Sequence, residues 1–318
     1  MKSVNTVTGS VSADKLGTTL MHEHLLIAWA GWELDCNAPR FDRKTALKTA
    51  VERLKELKDL GLGTFVDPCP NDIGRDIVFM ADVAAASGVN VVAATGLYKE
   101  DLGNTAYFRQ RTIEEIADVY VTEITKGVGE TGIKAGIIKC ATGKDHITEY
   151  ENRCLRAAAR ASKRTGVPIT THTEEGTMGR EQLDIFAEEG VDLAHVVIGH
   201  SCGASDLRYH TDMLDRGCLL GFDRFGLDFV HPDRLRLAAL IGLVGIGFEK
   251  QLVLSHDSVA CWKGKGLPEM DAKTLEGIKN WNPTHIFKHI IPALKEAGVG
   301  EHKIKAMMVE NPRRFFET

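Results

Sequence analysis

The sequence predicts an α/β protein built as a single (β/α)8 TIM barrel, with its active site at the carboxyl ends of the strands. Three observations support this prediction. Eight short apolar runs recur along the chain, segments of helical periodicity separate them, and most of the runs end in a side chain that can bind a ligand. Eight strand–helix units close into a parallel barrel whose strand ends meet at one mouth. The pattern alone leaves an open, doubly wound sheet as the structural alternative.

The elements follow from local periodicity. The predicted strands are short, apolar and β-rich, and they occupy residues 18–25, 64–69, 90–96, 135–141, 168–173, 195–200, 219–225 and 252–257. The predicted helices occupy residues 44–60, 75–87, 112–128, 150–165, 180–189, 207–216 and 233–244. Residues 284–316 contain at least two further helices. No repeat, low-complexity tract or Pro/Ser linker marks a boundary, so we predict one domain over residues 1–318.

Composition excludes several classes of function. The 318 residues carry 39 Lys+Arg against 44 Asp+Glu, a net charge of -5, which argues against nucleic acid or an anionic membrane as the partner. No stretch approaches the ~20 apolar residues that span a bilayer, and the polar first residues do not resemble a signal peptide. Seven scattered cysteines without a C-x-x-C pair predict reduced thiols and a cytoplasmic protein.

Histidines at the strand ends predict a metal site. His22 and His24 stand two apart on one strand, so their side chains share a face and could hold one cation. Alone, this pair could equally be structural. His172 and His200 close two other strands, however, and together the four favour a metal centre. Asp257 closes the eighth run, where it would be a ligand and proton acceptor, or else a cap for the next segment.

Lys139 lies where the pattern predicts an interior face. A buried lysine is costly unless it is paired or neutralised. It could form a salt bridge with an inward acid, or its amine could capture CO2 as a carbamate whose two oxygens suit two divalent metals. The pattern does not choose between these. His256 alternates to the opposite face from Asp257, and we predict a hydrogen-bonded or packing role for it.

One motif indicates a different chemistry. Residues 199–203 match G-x-S-x-G, the nucleophile elbow of serine hydrolases, and they follow a predicted strand. No H-G-G-type oxyanion loop lies upstream, and a serine mechanism leaves the strand-end histidines unexplained. A serine esterase that uses Ser201 therefore remains the alternative enzyme. A barrel with a purely structural metal is the other rival, although structural sites are usually closed and mononuclear.

Taken in chain order, these residues resemble the phosphotriesterase family of the amidohydrolase superfamily, and the resemblance covers essentially the whole chain. The segments that carry it lie on the predicted strands, at residues 21–24, 132–139, 171–173, 197–200, 223–226 and 254–257. Within that family, residues 70–72, 174–179 and 311–314 look most like the phosphotriesterase-like lactonases. The resemblance also explains residues 199–203 as a metal motif of the sixth strand.

The resemblance implies a site for two divalent metal ions. Its six implied ligands are His22, His24, Lys139, His172, His200 and Asp257. His22, His24 and Asp257 would hold the more buried ion, and the other two histidines the more exposed one. Lys139, as N6-carboxylysine, would bridge both ions together with a hydroxide, and Asp257 would be the general base. Zinc is the expected metal, with iron, cobalt or manganese as alternatives.

The resemblance further implies a substrate class. Tyr98 and Arg224 would act on the carbonyl or leaving oxygen, and Asp72 and Trp262 would complete the substrate-binding set. The implied activity is opening of γ- and δ-lactones, including acyl-homoserine lactones, with promiscuous hydrolysis of paraoxon-type triesters. A phosphotriesterase (aryldialkylphosphatase) is the alternative main activity. The implied partners are a small lactone or ester and a second copy of the chain in a homodimer.

Two features depart from the lactonases. Residues 99–101, after Tyr98, are Lys-Glu-Asp, whereas those enzymes often carry a second aromatic there. The eighth loop, residues 258–281, has its own Lys/Gly-rich stretch. Both segments are expected at the mouth of the barrel, so they bear on the identity and acyl-chain length of the substrate rather than on the metal chemistry.

Overall fold

A computed structural model describes residues 2–103 and 106–317, and there eight parallel strands form a nearly closed barrel. The strands are β1 (Thr18–Leu20), β2 (Leu62–Asp67), β3 (Asn90–Gly96), β4 (Ile137–Ala141), β5 (Ile169–His172), β6 (Val196–Ile198), β7 (Leu219–Phe222) and β8 (Leu252–Leu254). Each strand pairs in parallel with its neighbour in chain order. The predicted (β/α)8 fold is confirmed.

Helices surround this sheet as the periodicity predicts. They are α1 (Arg43–Asp59), α2 (Ile77–Ser87), α3 (Ile113–Thr125), α4 (Glu149–Thr165), α5 (Gly179–Glu188), α6 (Leu207–Leu214) and α7 (Asp233–Gly245). The C-terminal region adds π-helical turns over Ile286–Ile290 and Ala306–Glu310, which run into α-helical segments over Ile291–Glu296 and Asn311–Glu317, and a short helix over Glu301–Lys305.

Local chemistry explains where several helices begin and end. Thr112 and Thr148 each form a capping box with the glutamate three residues later, which satisfies free N–H groups at the starts of α3 and α4. Helices α2 and α4 end at Gly88 and Gly166, both in the left-handed conformation that glycine adopts without strain. These ends agree with the sequence prediction.

Two apolar layers build the core. The larger layer lies between the strands and the helices. A second cluster contains one face of the strands, including Val66, Val92, Ile137 and Val253, and the C-terminal Phe315 and Phe316 pack into it. These side chains fill the barrel beneath its carboxyl end, so the polar strand ends rest on a solid apolar floor.

The first predicted strand is interrupted. The segment predicted as one strand over residues 18–25 instead forms β1, then a break, and then the start of a second strand, His24–Ile27. This second strand pairs in parallel with Val259–Trp262, which follows β8. At the break, the Asp257 N–H donates to the carbonyl of His22 at 2.9 Å and the His24 N–H donates to the carbonyl of Ser258 at 2.8 Å. The barrel therefore closes through irregular backbone at its carboxyl mouth.

Several elements lie outside the predicted set. An N-terminal hairpin joins Ser3–Thr6 to Gly9–Ser12, and the eighth loop contains a helix over Ala272–Gly277. These segments are too short to show a clear period in the sequence. None of the helices in the described part of the chain combines the length and the apolar character needed to cross a membrane.

Candidate metal centre

Three histidine side chains converge on one carboxylate at the barrel mouth. The Nε2 atoms of His22 and His24 lie 3.5 and 3.1 Å from Oδ1 of Asp257, and Nε2 of His200 lies 3.6 Å from its Oδ2. His22, His200 and Asp257 each offer a ligand atom within 4.8 Å of the others. The histidines come from opposite regions of the sequence, and the barrel brings them together because its parallel strands end at one edge.

Carboxylates fix the orientation of these three rings. Asp223 reaches two of them, with its oxygens 3.0 Å from Nδ1 of His22 and 2.9 Å from Nδ1 of His200. Asp67 lies 3.1 Å from Nδ1 of His24. Each Nδ1 donates a hydrogen bond to its carboxylate, so each Nε2 is directed toward Asp257. This is the usual arrangement around histidine ligands of metals.

The donor set fits a divalent cation. Nε2 of His200 is buried and has no hydrogen-bond partner among the described residues. A buried polar atom without a partner is unfavourable, and a metal bond would satisfy it. Imidazole and carboxylate donors are suited to zinc and other first-row divalent metals.

Lys139 reaches the same cluster from β4. Its side chain is buried, and its Nζ lies 3.2 Å from Nε2 of His22 and 3.4 Å from the carbonyl of Thr171. Burial lowers the pKa of Lys139 to about 8, against the opposing effect of Asp257 and Asp223. A lysine in this environment exists in part as a neutral amine near neutral pH.

His172 borders the cluster but its nitrogens have other partners. Its ring centroid lies 4.6 Å from that of His200, while its Nδ1 lies 3.3 Å from the Tyr98 hydroxyl and its Nε2 lies 3.2 Å from Glu174. The buried Lys99 donates to Glu174 at 2.7 Å and so holds that carboxylate against His172. Lys99, the departure noted after Tyr98, thus supports a strand-end histidine.

The charge states differ from one ligand to the next. Burial opposes protonation of His24, but Asp257 and Asp67 raise its pKa to about 9. Burial lowers the pKa of His172 to about 4, even though Glu174 acts in the other direction. Burial opposes ionisation of Asp257, yet the charges of His200 and His22 and the contact with His24 hold its pKa well below the usual value. Asp257 is therefore ionised at neutral pH.

An apolar cavity of about 230 Å³ opens from these ligands. At its polar end, Arg224 donates from Nε to Oδ2 of Asp257 at 3.0 Å, and the Tyr98 ring also lines the wall. Burial raises the pKa of the Tyr98 hydroxyl, so it remains a neutral donor. The apolar lining includes Ile27, Trp29, Val259, Trp262, Leu267 and Met270. The shape and lining suit a ligand with a polar head and an apolar tail.

The structure places the two other predicted substrate residues differently. Trp262 lines the cavity and its ring lies 5.5 Å from that of Trp29. Asp72 lies behind Tyr98, where its carboxylate accepts from the Tyr98 N–H at 3.0 Å, and it lines a neighbouring cavity instead. The structure therefore does not bring Asp72 to the cavity that the histidines line.

Ser201 does not have the surroundings of a nucleophile. Its side chain is fully buried and its hydroxyl donates to the carbonyl of Ile198 at 2.8 Å. The neighbouring His210 contacts the carbonyl of Ser201 rather than its hydroxyl. Since a nucleophilic serine needs a base at its hydroxyl and access to substrate, this geometry gives the esterase alternative no support.

Sequence reasoning did not assign four residues that hold the ligands. Asp67, Asp223 and Glu174 each contact a strand-end histidine. Glu23, which stands between His22 and His24 in the sequence, is fully buried. Asp67 and Asp223 lie at or just after the ends of β2 and β7, so the rule that found the ligands could have found them too. Their partners, however, depend on side-chain directions that a sequence does not show.

Comparison with known proteins agrees with this architecture. The model of the phosphotriesterase family matches residues 2–316. A "phosphotriesterase homology protein" of Mycobacterium tuberculosis is 42% identical over 100% of this chain and 98% of its own. A "phospho-furanose lactonase" of Mycoplasmopsis synoviae is 30% identical over 98% of this chain and 91% of its own.

Solved structures give the same answer. The organophosphorus hydrolase of Deinococcus radiodurans superposes with a TM-score of 0.96 at 40% identity, and the match covers 99% of this chain and 96% of that one. A family model that spans nearly the whole chain, together with full-length relatives above 30% identity, settles membership. This chain is a hydrolase of the phosphotriesterase family.

Proposed function

We propose that this protein is a binuclear metal hydrolase that opens γ- and δ-lactones, including acyl-homoserine lactones, and hydrolyses paraoxon-type triesters as a side activity. The observation that carries the proposal is the convergence of three histidine Nε2 atoms on Asp257, with Lys139 beside His22, at the polar end of an apolar cavity. Such an arrangement combines metal ligands with a binding site for an apolar acyl group.

The residues that would hold the two ions are the six predicted ligands. His22, His24 and Asp257 would share one ion, His172 and His200 the other, and Lys139 both. The bound ions would supply Lewis acidity and a hydroxide at neutral pH. Zinc is the first choice, and iron, cobalt or manganese also suit this donor set.

The chain's own groups have distinct tasks in this proposal. Asp257 is ionised and accepts a proton from the attacking water. Arg224 holds that carboxylate through its Nε and lines the cavity, where its remaining N–H groups would bind the substrate. Tyr98 keeps its proton and donates a hydrogen bond to the substrate carbonyl or the leaving oxygen. The apolar walls exclude water from the acyl chain.

Lys139 fits the role of carboxylysine. Its lowered pKa makes a neutral amine accessible, and the amine nitrogen can bond to the carbon of CO2 with loss of one proton. The product is an anion with two oxygens. An anion also suits the ligand cluster better than an ammonium group 3.2 Å from a histidine nitrogen.

Lactones are preferred over phosphotriesters in the proposal for two reasons. The aliphatic and aromatic lining extends away from the ligands, which suits an acyl tail, and a lactonase is among the full-length relatives. Because organophosphorus hydrolases share the fold at 40% identity, a phosphotriesterase as the main activity is the alternative.

The test is a hydrolysis panel on metal-analysed protein. It compares γ- and δ-lactones, acyl-homoserine lactones, aryl esters and paraoxon at equal enzyme concentration. We expect kcat/KM for the best lactone to exceed that for paraoxon by at least about tenfold. A ratio in favour of paraoxon would move the assignment to phosphotriesterase.

We also propose that the protein forms a homodimer. Leu34 is 84% exposed and Tyr107 is 62% exposed, and both lie on loops that border the cavity behind Tyr98. A contiguous exposed apolar patch is typical of an association surface, and in the proposed dimer these two side chains would be part of one. Sedimentation of the wild type is expected to give twice the chain mass. A monomer at micromolar concentration would contradict the dimer.

A further inference from the structure

Glu23 is a fully buried carboxylate between two predicted metal ligands, yet it lies outside the described cavity. Its side chain turns instead toward the chain that follows β8. There Oε1 accepts from the Ser255 hydroxyl at 2.9 Å, the His256 N–H at 2.8 Å and Nδ1 of His256 at 2.5 Å. Oε2 accepts from the N–H and the hydroxyl of Ser258, at 3.0 and 2.5 Å. Five donors from three residues thus surround one carboxylate.

These donors flank Asp257 on both sides. The N–H groups of His256 and Ser258 bind the two different oxygens of Glu23, so the backbone on either side of Asp257 is attached to one carboxylate. Asp257 itself has φ +56°, a left-handed conformation that is unfavourable for a residue with a side chain. The hydrogen bonds to Glu23 offset that strain and make the chain turn at Asp257.

The same network fixes His22 and His24, the two histidines of the interrupted first strand. The Ser255 hydroxyl, which donates to Glu23, accepts from the His22 N–H at 2.9 Å. The carbonyl of Ser258 accepts from the His24 N–H at 2.8 Å. The backbone positions of His22, His24 and Asp257 therefore depend on contacts that meet at Glu23.

Neighbouring groups leave the turn no freedom to rearrange. Nε2 of His256 accepts from the Ile286 N–H at 2.9 Å, so Nδ1 carries the proton that binds Glu23. The Trp281 indole N–H lies 3.0 and 3.1 Å from the carbonyl oxygens of His256 and Asp257. An amide in place of Glu23 would present an NH2 group to donors, and these neighbours prevent the donors from turning away.

We infer that Glu23 is a positioning residue that holds Asp257 in its left-handed turn and aligns it with His22 and His24, and so sets the affinity of the metal centre. The inference rests on the proposed function, because it assumes that these three residues bind metal. Loss of a partner that orients metal ligands commonly weakens metal binding by about 10–100-fold.

The test is Glu23→Gln, purified, stripped of metal and titrated with zinc against a chromophoric chelator. We expect zinc affinity to fall by at least about tenfold. After saturation with zinc, kcat for a lactone is expected to fall while KM changes less than about twofold, since Glu23 does not line the cavity. If Glu23 were purely structural, the folded variant would keep the zinc affinity of the wild type and, once saturated with zinc, its kcat.

The matched control is Glu123→Gln. Glu123 is a mostly buried carboxylate on α3 that binds Arg75 through both oxygens, far in sequence from the ligands. This variant is expected to lose thermal stability but to keep zinc affinity within about twofold. An equal loss of zinc affinity in both variants would show a general effect of destabilisation and would overturn the inference.

A second pair of variants covers a failure of Glu23→Gln to fold. Ser255→Ala and Ser258→Ala each remove one donor from Glu23 and keep its charge. Each is expected to weaken zinc binding about two- to tenfold. Wild-type zinc affinity in both, or in folded Glu23→Gln, would overturn the inference. Failure of the wild-type protein itself to bind zinc would instead overturn the proposed function.

Discussion

The free nitrogen of each histidine decides what the site can bind. Asp223 accepts from Nδ1 of both His22 and His200, so a single carboxylate orients two rings from strands that are far apart in sequence. Imidazole has one donor and one acceptor nitrogen when neutral, so fixing the donor at Nδ1 leaves Nε2 as the ligand. The metal-binding potential of the site is therefore set by residues that do not themselves face the cavity.

Lys139 gives the first prediction at this scale. If its amine is a carbamate, Lys139→Ala should lose bound metal and lower kcat by at least about 1,000-fold, since several kcal/mol of transition-state stabilisation depend on the metals. Lys139→Arg should fail as well, because a guanidinium remains protonated and cannot take up CO2. Propionate added with zinc should restore part of the activity of Lys139→Ala.

Lys134, an exposed lysine just before β4, provides the control. Lys134→Ala removes the same side chain from the surface and should leave metal content and turnover unchanged. The competing explanation is an ion pair between Lys139 and Asp257. In that case propionate would have the wrong charge and would give no rescue. An unmodified Lys139 amine in fully active, metal-loaded protein, seen by mass spectrometry, would contradict the carbamate.

The second prediction concerns pH. Asp257 and Asp67 raise the pKa of His24 to about 9 against the effect of burial, so the metal-free protein carries a proton on His24 at neutral pH. Zinc binding must release that proton, so zinc affinity should rise with pH by at least about tenfold per unit until about pH 9. Calorimetry in two buffers of different ionisation enthalpy measures the released protons. Binding without proton release at pH 7 would contradict this account.

The third prediction concerns Ser201. Its hydroxyl is buried and donates to a backbone carbonyl, so Ser201→Ala should keep at least about half of the wild-type turnover. Serine-directed phosphonates should not label the protein covalently. Loss of turnover to background with normal metal content would favour a serine mechanism.

At the scale of elements, the segment after β8 does more than connect that strand to the C-terminal helices. Its strand Val259–Trp262 pairs with His24–Ile27 and brings two cavity-lining side chains over the ligands. Trp281, at the end of the same loop, binds the carbonyls of the Asp257 turn. One loop therefore contributes both to the proposed metal ligands and to the wall of the cavity.

Trp262 gives the prediction at this scale. Trp262→Ala removes an aromatic wall from the cavity, so lactones with long acyl chains should lose about 10–100-fold in kcat/KM. Short lactones that do not reach the wall should lose less than about threefold. Trp32→Ala is the control, because Trp32 lines the neighbouring cavity and should not change the long-to-short ratio. Equal losses for both chain lengths would contradict the assigned acyl site.

At the scale of the whole molecule, the apolar core and the candidate metal centre are separate parts of the barrel. The apolar layers inside and outside the sheet are continuous beneath the mouth. The ligand cluster, by contrast, brings several ionisable groups together in a buried space. Metal ions would satisfy that cluster without contributing to the apolar core.

The last prediction follows from this separation. A strong chelator should abolish lactone hydrolysis, leave the far-ultraviolet circular dichroism unchanged and lower Tm by several degrees, because bound metal stabilises only the folded state. Added zinc with bicarbonate should restore turnover. Activity that survives complete metal removal would favour a serine enzyme, and unfolding on chelation would favour a structural metal.

Much of the fold could be predicted, because its signals are local. Periodicity placed each barrel strand and the first seven helices close to their observed bounds, and α2, for example, ends at the residue where its predicted helix ends. The break in the first strand could not be predicted. It arises from hydrogen bonds between residues 22–24 and 255–258, which are more than 230 positions apart.

The sequence by itself determined the barrel and the residues at its mouth, since both depend on patterns within one strand or helix. It also carried the family resemblance, which the comparisons confirm. The tertiary structure decided which side chains meet: Asp223 with two histidines, Lys99 with Glu174, Asp72 with the backbone of Tyr98, and Glu23 with the turn at Asp257. These contacts join distant segments whose relative positions come only from closure of the barrel, because no local pattern encodes the direction in which a buried polar side chain finds its partner.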